Sequence, residues 1–292
     1  MARQKFIMVK QRTLRKAFSI SGIGLHTGKK VDLTLWPAPD NTGVIFRRID
    51  LDPIVSIPAT TQHVSDTRLN TCLSNGEISI ATVEHLLSAL GGLSIDNVFI
   101  DLNSTEPPAL DGSALPFVEL IESVGIIEQE TSKKFIRIKR EITVREDDKF
   151  IILQPYDGFR ISMTIDFKHP FVAKTKQSFS IELSPSSYVN EISYARTFGF
   201  LAEYEYLRKN NLGLGASLEN TLVLDEKGIL NDGGLRDDAE FVKHKIVDAV
   251  GDLSLLGCPI IGGFIGYKSG HALNHSLRQA LLMDRDAWDW VT

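Results

Sequence analysis

The chain has little cysteine and no strong excess of either charge. Only Cys72 and Cys258 occur among 292 residues, and their separation matches no metal-binding or redox spacing. We therefore expect two reduced thiols, as in a cytoplasmic protein. The formal net charge is −5, so bulk charge does not favour nucleic-acid binding, and no nucleic-acid partner is predicted.

Long apolar runs are also missing. No stretch reaches the roughly 18 apolar residues that a membrane span needs. Residues 1–16 are basic but lack the apolar core of a signal peptide. We therefore expect no transmembrane segment and a cytoplasmic location. With 43% hydrophobic and 24% charged residues, the composition is typical of a globular protein.

Pairs of similar segments indicate the organisation. Residues 33–46 and 151–165 both show an alternating strand, a proline-centred turn and a second strand. Residues 82–93 and 241–253 both predict a short amphipathic helix that carries a histidine and closes in glycine, followed by an apolar strand and a further helix. The pattern predicts an α+β fold, a two-layer sheet-plus-helices repeat in which two similar halves pack on each other.

Each predicted half carries an insert. We expect a first half over residues 1–130 with a small β insert (47–80), and a second half over 131–292 with an insert in 168–236 that is helical in part. The polar stretch 128–134 is predicted to be the linker.

Residues 241–257 carry an unusual polar stripe. His244, Asp248 and Asp252 recur at intervals of four, so they share one face of a helix. Apolar residues flank the stripe, and partly buried carboxylates need a partner, for which a cation is the obvious choice. The spacing alone fits a solvated stripe on a surface helix equally well.

A third metal ligand is available on the matching helix. His85 follows Glu84 there, and two histidines with one aspartate leave one open position on a tetrahedral zinc ion, as in catalytic sites. Zinc lowers the pKa of bound water to about 7. Glu84 is then a candidate general base, although a Glu-His pair by itself carries little weight.

Two further stretches are candidates for function. In residues 267–275, His271 lies near a predicted helix start, where it could donate a proton if Asp252 orients it, and Lys245 could stabilise negative charge. The ordinary alternative is a strand-to-helix turn capped by Ser269. Residues 21–28, "SGIGLHTG", fit neither the Walker nor the Rossmann spacing of phosphate-binding glycines, so a tight turn is predicted.

Six ordered motifs together resemble the UDP-3-O-acyl-N-acetylglucosamine deacetylase family (LpxC). They are "SGIGLHTGKKV", "TVEHLLSALGGLSIDNVFI", "LDGSALPF", "ARTFGF", "HKIVDAVGDLSLLG" and "YKSGHALNHSL". The resemblance covers nearly the whole chain from about residue 8. It implies a zinc amidase that acts on UDP-3-O-acyl-N-acetylglucosamine at the committed step of lipid A synthesis in Gram-negative bacteria.

The resemblance also implies a role for individual residues. Zinc ligands fall on His85, His244 and Asp248. The remaining roles are the general base at Glu84, the general acid at His271 with Asp252 as its partner, oxyanion or substrate contacts at Lys245 and Thr197, an acyl-chain contact at Phe198, and a nucleotide-sugar contact at Lys268.

At the level of the molecule, the resemblance implies an active site between two facing layers. The second insert, β-α-β in form, is expected to line an apolar passage for the acyl chain through residues 169–183 and 187–200, and the protein is expected to be a monomer. Three alternatives stay open: a zinc amidohydrolase for another acylated sugar, a non-catalytic binder of acylated nucleotide sugars, and a purely structural stripe without metal.

Overall fold

The computed structural model describes residues 9–292 as a mixed α+β fold, in agreement with the predicted class. Its first part contains strands β1 (Lys10–Leu14), β2 (Phe18–Ile23), β3 (Lys30–Pro37), β4 (Val44–Arg48), β5 (Val55–Pro58), β6 (Val64–Asp66), β7 (Cys72–Asn75), β8 (Ile78–Ile80), β9 (Val98–Leu102) and β10 (Ile126–Ser132), with helices α1 (Glu84–Gly92) and α2 (Leu115–Val124).

The second part of the chain adds the remaining elements. Its strands are β11 (Phe135–Ile138), β12 (Ile142–Glu146), β13 (Lys149–Gln154), β14 (Phe159–Thr164), β15 (Ser178–Glu182), β16 (Phe198–Phe200), β17 (Leu222–Leu224), β18 (Ile260–Tyr267) and β19 (Trp288–Val291). Its helices are α3 (Pro185–Glu191), α4 (Tyr204–Lys209), α5 (Glu240–Ser254) and α6 (His271–Met283).

Two main sheets have the same strand pattern. The first runs β2-β3-β9-β4-β5, and the second contains the path β12-β13-β18-β14-β15, extended by β11 and β19. In both paths the third and fourth strands pair parallel and all other neighbours pair antiparallel. The division at residues 130 and 131 stays a prediction.

Helices from the two parts form the middle of the molecule. Helix α1 contacts α2 and α5, and α5 contacts α6. Each sheet turns alternate apolar side chains toward these helices, as the buried Val98, Ile100 and Leu102 of β9 illustrate. The α1–α5 contact therefore joins the two sheet-and-helix units through one apolar core.

The predicted linker segment contains a strand, and its role as the junction of the two halves stays a prediction. Most of residues 128–134 belongs to β10, which pairs antiparallel with β1, for example through Arg12 opposite Glu128. Polar side chains are compatible with a strand here, because β1 and β10 form a separate two-stranded sheet at which one face can meet solvent.

The inserts are small structures of their own. Strands β6, β7 and β8 form a three-stranded antiparallel sheet before α1. In the second part, β16 and β17 pair parallel with α4 between them, which is a β-α-β unit. This unit spans residues 198–224. Strand β15 lies in residues 169–183, which are expected to line the acyl-chain passage, but it is an edge strand of the second main sheet.

The structure also describes the two cysteines and the character of the helices. Cys72 and Cys258 are both free thiols, as predicted. Among residues 9–292, none of the helices combines the length and the apolar character that crossing a membrane requires.

Candidate metal and acid–base site

The polar stripe of α5 points into the protein. His244 and Asp248 are each 3% exposed and Asp252 is 0% exposed, so the interpretation as a solvated surface stripe is wrong. The apolar neighbours Ile246, Val247 and other residues on both sides pack in the core. Burial of two carboxylates at this depth requires compensating partners.

A close helix crossing brings α1 to this stripe. The crossing depends on Gly251, because a Cβ atom built there would lie 2.0 Å from the carbonyl oxygen of Glu84. Glu84 and His85, the first two residues of α1, are therefore held beside α5. The crossing therefore places the first residues of α1 beside the polar stripe of α5.

His85, His244 and Asp248 form one buried cluster. Their potential ligand atoms all lie within 4.8 Å of one another. His244 Nε2 is 3.4 Å and His85 Nε2 is 3.7 Å from Asp248 Oδ1. Zinc bonds of about 2.0–2.1 Å in a tetrahedron separate neighbouring ligand atoms by about 3.4 Å, so the spacing fits such an ion.

The chemistry of these donors also fits a divalent metal. Burial lowers the pKa of His85 to about 3 and lowers that of His244, so both imidazoles keep a free lone pair at neutral pH. His244 Nδ1 lies 3.0 Å from the carbonyl oxygen of Ala195, and donation there leaves Nε2 as the ligand atom. Burial acts to raise the pKa of Asp248, but the cationic Lys245 and His271 outweigh it, so the pKa is lowered and the carboxylate is ionised.

An acid–base pair lies next to the cluster. Glu84 Oε1 is 3.9 Å from His271 Nε2, and both side chains are buried. Burial, reinforced by Asp248 and Asp252, raises the pKa of Glu84 to about 7. Burial lowers the pKa of His271, but the carboxylate of Asp252 dominates and raises it to about 9. A carboxylate near its midpoint and a cationic imidazole therefore face each other at neutral pH.

Asp252 is hydrogen-bonded to His271, and its role as the partner of a general acid stays a prediction. His271 Nδ1 lies 2.9 Å from Asp252 Oδ2, which also accepts a hydrogen bond from Asn274 Nδ2 at 2.8 Å. Arg278 Nη1 donates to the carbonyl oxygen of Asp252. The sequence reasoning missed Asn274 and Arg278, although His271, Asn274 and Arg278 recur along one face of α6 and could have been found by the same periodicity argument.

The sequence reasoning also missed Thr71. Its backbone N–H donates to Glu84 Oε2 at 3.0 Å, and its hydroxyl donates to Asp252 Oδ1 at 2.5 Å. No pattern around residues 69–73 indicates this role, because the contact arises only when the small sheet β6–β8 is folded beside α1 and α5.

Lys245 and Phe198 lie beside the cluster. Lys245 Nζ is 2.5 Å from Asp248 Oδ2, whereas His85 and His244 lie nearer Oδ1 of the same carboxylate. The Phe198 ring lies 6.2 Å from the His244 ring, and Thr197 precedes it at the start of β16. The roles predicted for the three residues stay predictions.

Lys268 pairs with the carboxylates of Asp148 and Asp166. Its Nζ is 2.5 Å from Asp148 Oδ2 and 3.0 Å from Asp166 Oδ2, and its role at the nucleotide-sugar end stays a prediction.

Ser269 does not cap α6: Gly270 occupies the N-cap position, and the Ser269 hydroxyl lies against the sulfur of Met163. That expectation is wrong because the chain turns Ser269 inward.

The "SGIGLHTG" segment forms the predicted tight turn. The N–H of Gly28 donates to the carbonyl oxygen of Gly24 at 3.0 Å. His26 Nδ1 accepts a hydrogen bond from the N–H of Gly213, and the backbones of residues 25 and 26 bind those of residues 214 and 215. The turn therefore fastens the loop that follows α4 to the first sheet.

The arrangement defines a class of site. A buried two-histidine, one-aspartate cluster suited to a divalent cation lies beside a carboxylate with a raised pKa and an imidazolium oriented by a second carboxylate. These are the components that metal-assisted hydrolysis uses.

Comparisons with known proteins agree with this class. Residues 11–283 match the family model described as "LpxC: UDP-3-O-acyl N-acetylglycosamine deacetylase". The chain is 57% identical over 285 residues to UDP-3-O-acyl-N-acetylglucosamine deacetylases of Coxiella burnetii strains Dugway 5J108-111, RSA 331 / Henzerling II and CbuG_Q212, which covers 98% of this chain and 94% of each relative. The chain belongs to the LpxC family of UDP-3-O-acyl-N-acetylglucosamine deacetylases.

Proposed function

We propose that this protein hydrolyses the 2-acetamido group of UDP-3-O-acyl-N-acetylglucosamine and releases acetate, the committed step of lipid A synthesis. The observation that carries the proposal is the juxtaposition of the buried His85–His244–Asp248 cluster with Glu84 and His271. Membership in the deacetylase family supports the choice of substrate.

Zinc is the proposed cofactor, held by His85, His244 and Asp248. When bound, it supplies Lewis-acid chemistry, lowering the pKa of water and polarising a carbonyl oxygen. The fit rests on two neutral imidazoles and one ionised carboxylate at tetrahedral spacing.

The protein's own groups then account for the proton movements. Glu84 takes a proton from the attacking water, whose oxygen forms a bond to the acetyl carbon. His271, kept cationic by Asp252, donates its Nε2 proton to the amine nitrogen as the C–N bond breaks. Lys245 and Thr197 are proposed to stabilise the negative charge on the acetyl oxygen.

The second insert is proposed to receive the acyl chain. Phe167, Phe198 and Phe200 pack ring against ring at 5.4–6.3 Å between centroids, and Leu201 and Tyr204 beyond them are 47% and 48% exposed. Apolar side chains left exposed in one place are typical of a ligand-binding surface. Lys268 is proposed to contact the nucleotide-sugar end of the substrate.

Acetate release from purified protein tests the proposal. We expect release from UDP-3-O-acyl-N-acetylglucosamine, much slower release from UDP-N-acetylglucosamine without the acyl chain, loss of activity after chelation, and recovery with zinc. Equal rates on an acylated sugar that lacks UDP would favour a different amidohydrolase. Tight binding of the substrate without any acetate release would instead identify a non-catalytic binder.

A further inference from the structure

Thr71 is the one described residue that hydrogen-bonds directly to both Glu84 and Asp252. It is 0% exposed, and it lies between β6 and β7 of the small sheet. Its N–H reaches the Glu84 carboxylate from one side, and its hydroxyl reaches the Asp252 carboxylate on the other side. Glu84 belongs to α1, whereas Asp252 belongs to α5.

The position of Thr71 is itself fixed by the chain that precedes α1. Its carbonyl oxygen accepts a hydrogen bond from the N–H of Val83 at 3.3 Å. The neighbouring Asn70 Oδ1 accepts from the N–H of Thr82 at 3.4 Å. These bonds attach residues 70 and 71, next to β7 of the small sheet, to the residues immediately before Glu84 at the start of α1.

The contacts of Thr71 complete a defined geometry at Asp252. Its hydroxyl donates a hydrogen bond to Asp252 Oδ1, while His271 and Asn274 hydrogen-bond to Asp252 Oδ2. The Thr71 hydroxyl oxygen is also 3.3 Å from His271 Nδ1. A carboxylate held by donors on both oxygens cannot rotate, so the imidazole that it orients is fixed as well.

We propose that Thr71 is a positioning residue that sets the distance between the base Glu84 and the acid pair His271–Asp252, and that this is the task of the small sheet β6–β8. The inference rests on the proposed function, since it concerns the same hydrolysis. Thr71 acts through Glu84 and Asp252 and takes no proton itself.

Two substitutions separate the hydroxyl from the shape of the side chain. Thr71→Val removes the hydroxyl and keeps both the volume and the backbone N–H, whereas Thr71→Ser keeps the hydroxyl. We expect Thr71→Val to lower kcat by about tenfold to a hundredfold, which is the scale of a misplacement near 1 Å. KM and the bound zinc should stay within about twofold of the wild-type values, which we count as unchanged. Thr71→Ser should stay within about threefold of the wild-type kcat, because its hydroxyl can still orient Asp252.

A double-mutant cycle tests whether Thr71 acts through Asp252. In an Asp252→Asn background, Thr71→Val should change kcat by less than about twofold, because the group that it orients is already altered. A full additional loss, or a Thr71→Ser variant as slow as Thr71→Val, would overturn the role, as would loss of zinc from Thr71→Val.

The outcome also distinguishes this inference from the proposed function. If the wild-type protein releases acetate and Thr71→Val matches its kcat, only the role of Thr71 is overturned. If the folded, zinc-loaded wild-type protein releases no acetate, the proposed function fails and the positioning role fails with it.

Discussion

Asp252 shows how one buried side chain controls its neighbours. It is fully buried, yet its pKa is lowered, because His271, Arg278 and Asn274 outweigh the cost of burial. In return, its charge raises the pKa of His271 to about 9. The proposed acid is therefore protonated at neutral pH mainly because this carboxylate is ionised.

Replacing Asp252 by Asn should shift the pH–rate profile. Without the carboxylate, the largest contribution that raises the pKa of His271 is lost, so that pKa falls. Since an acid works below its pKa, the alkaline limb of kcat/KM should move to lower pH, with a rate loss of about 10²-fold or more at neutral pH. Steady-state kinetics between pH 5 and pH 10 check this, and an unchanged alkaline limb would remove His271 as the group that it reports.

Glu84→Gln should abolish base catalysis and leave the metal in place. Glutamine keeps the volume and can still accept the N–H of Thr71, but it cannot take a proton. We expect kcat to fall by about 10²- to 10⁴-fold, with zinc content equal to wild type in an elemental assay. An unaltered rate would show that another group acts as the base, and lost zinc would assign Glu84 to the metal instead.

At the residue scale, the sequence predicts the site through periodicity. The interval of four places His244, Asp248 and Asp252 on one face of α5, and the structure has them there. The interval cannot say whether that face is buried, since burial depends on which element packs against it. Thr71 escapes prediction altogether, because its contacts at positions 84 and 252 are set by tertiary folding.

Among the elements, the α1–α5 crossing positions the metal ligands. The crossing is close because Gly251 carries no side chain toward the Glu84 carbonyl oxygen. Glycine is a poor helix residue, so its presence in the last turn of α5 is explained by this contact and not by helix stability. Any widening here moves His85 away from His244 and Asp248.

Gly251→Ala should therefore weaken zinc binding although alanine favours a helix. The added Cβ would lie 2.0 Å from a backbone oxygen, which cannot turn aside as a side chain could. We expect zinc affinity to fall by roughly tenfold or more, the scale of a disturbed metal-site geometry, and activity to fall with it. The matched control is Gly199→Ala, where no atom lies within 4 Å of the new Cβ. Competition with a chelator measures both, and equal zinc affinity in Gly251→Ala and wild type would contradict this view of the crossing.

Element types follow from the sequence better than element roles do. The repeated strand–turn–strand pattern of residues 33–46 and 151–165 corresponds to β3–β4 and β13–β14. By contrast, the polar residues 128–134 suggest a linker but largely form β10, because pairing with β1 stabilises the strand without an apolar run. Cross-strand partners are not visible in a local window.

For the whole molecule, the proposed metal is a link between two sheet-and-helix units. One ligand comes from α1 and two come from α5, so zinc bound to the folded state should stabilise the entire core. A ligand that binds only the native state stabilises it by RT ln(1 + L/Kd), where L is the free ligand concentration.

Chelation should consequently lower the thermal stability. We expect Tm to fall by roughly 5 °C or more when tightly bound zinc is removed, and to recover when zinc is returned. The control is His85→Ala, whose Tm should not respond to the chelator. A wild-type Tm that is indifferent to chelation, measured by calorimetry, would argue that the cluster is a purely structural polar group.

Zinc content of three purified proteins tests the central claim most directly: wild type, His85→Ala and His244→Ala, analysed by elemental mass spectrometry after dialysis. We predict about one zinc per wild-type chain and close to none in either variant, because a tetrahedral site that loses one of three protein ligands binds the ion far more weakly. A full equivalent of zinc retained by both folded variants would contradict it.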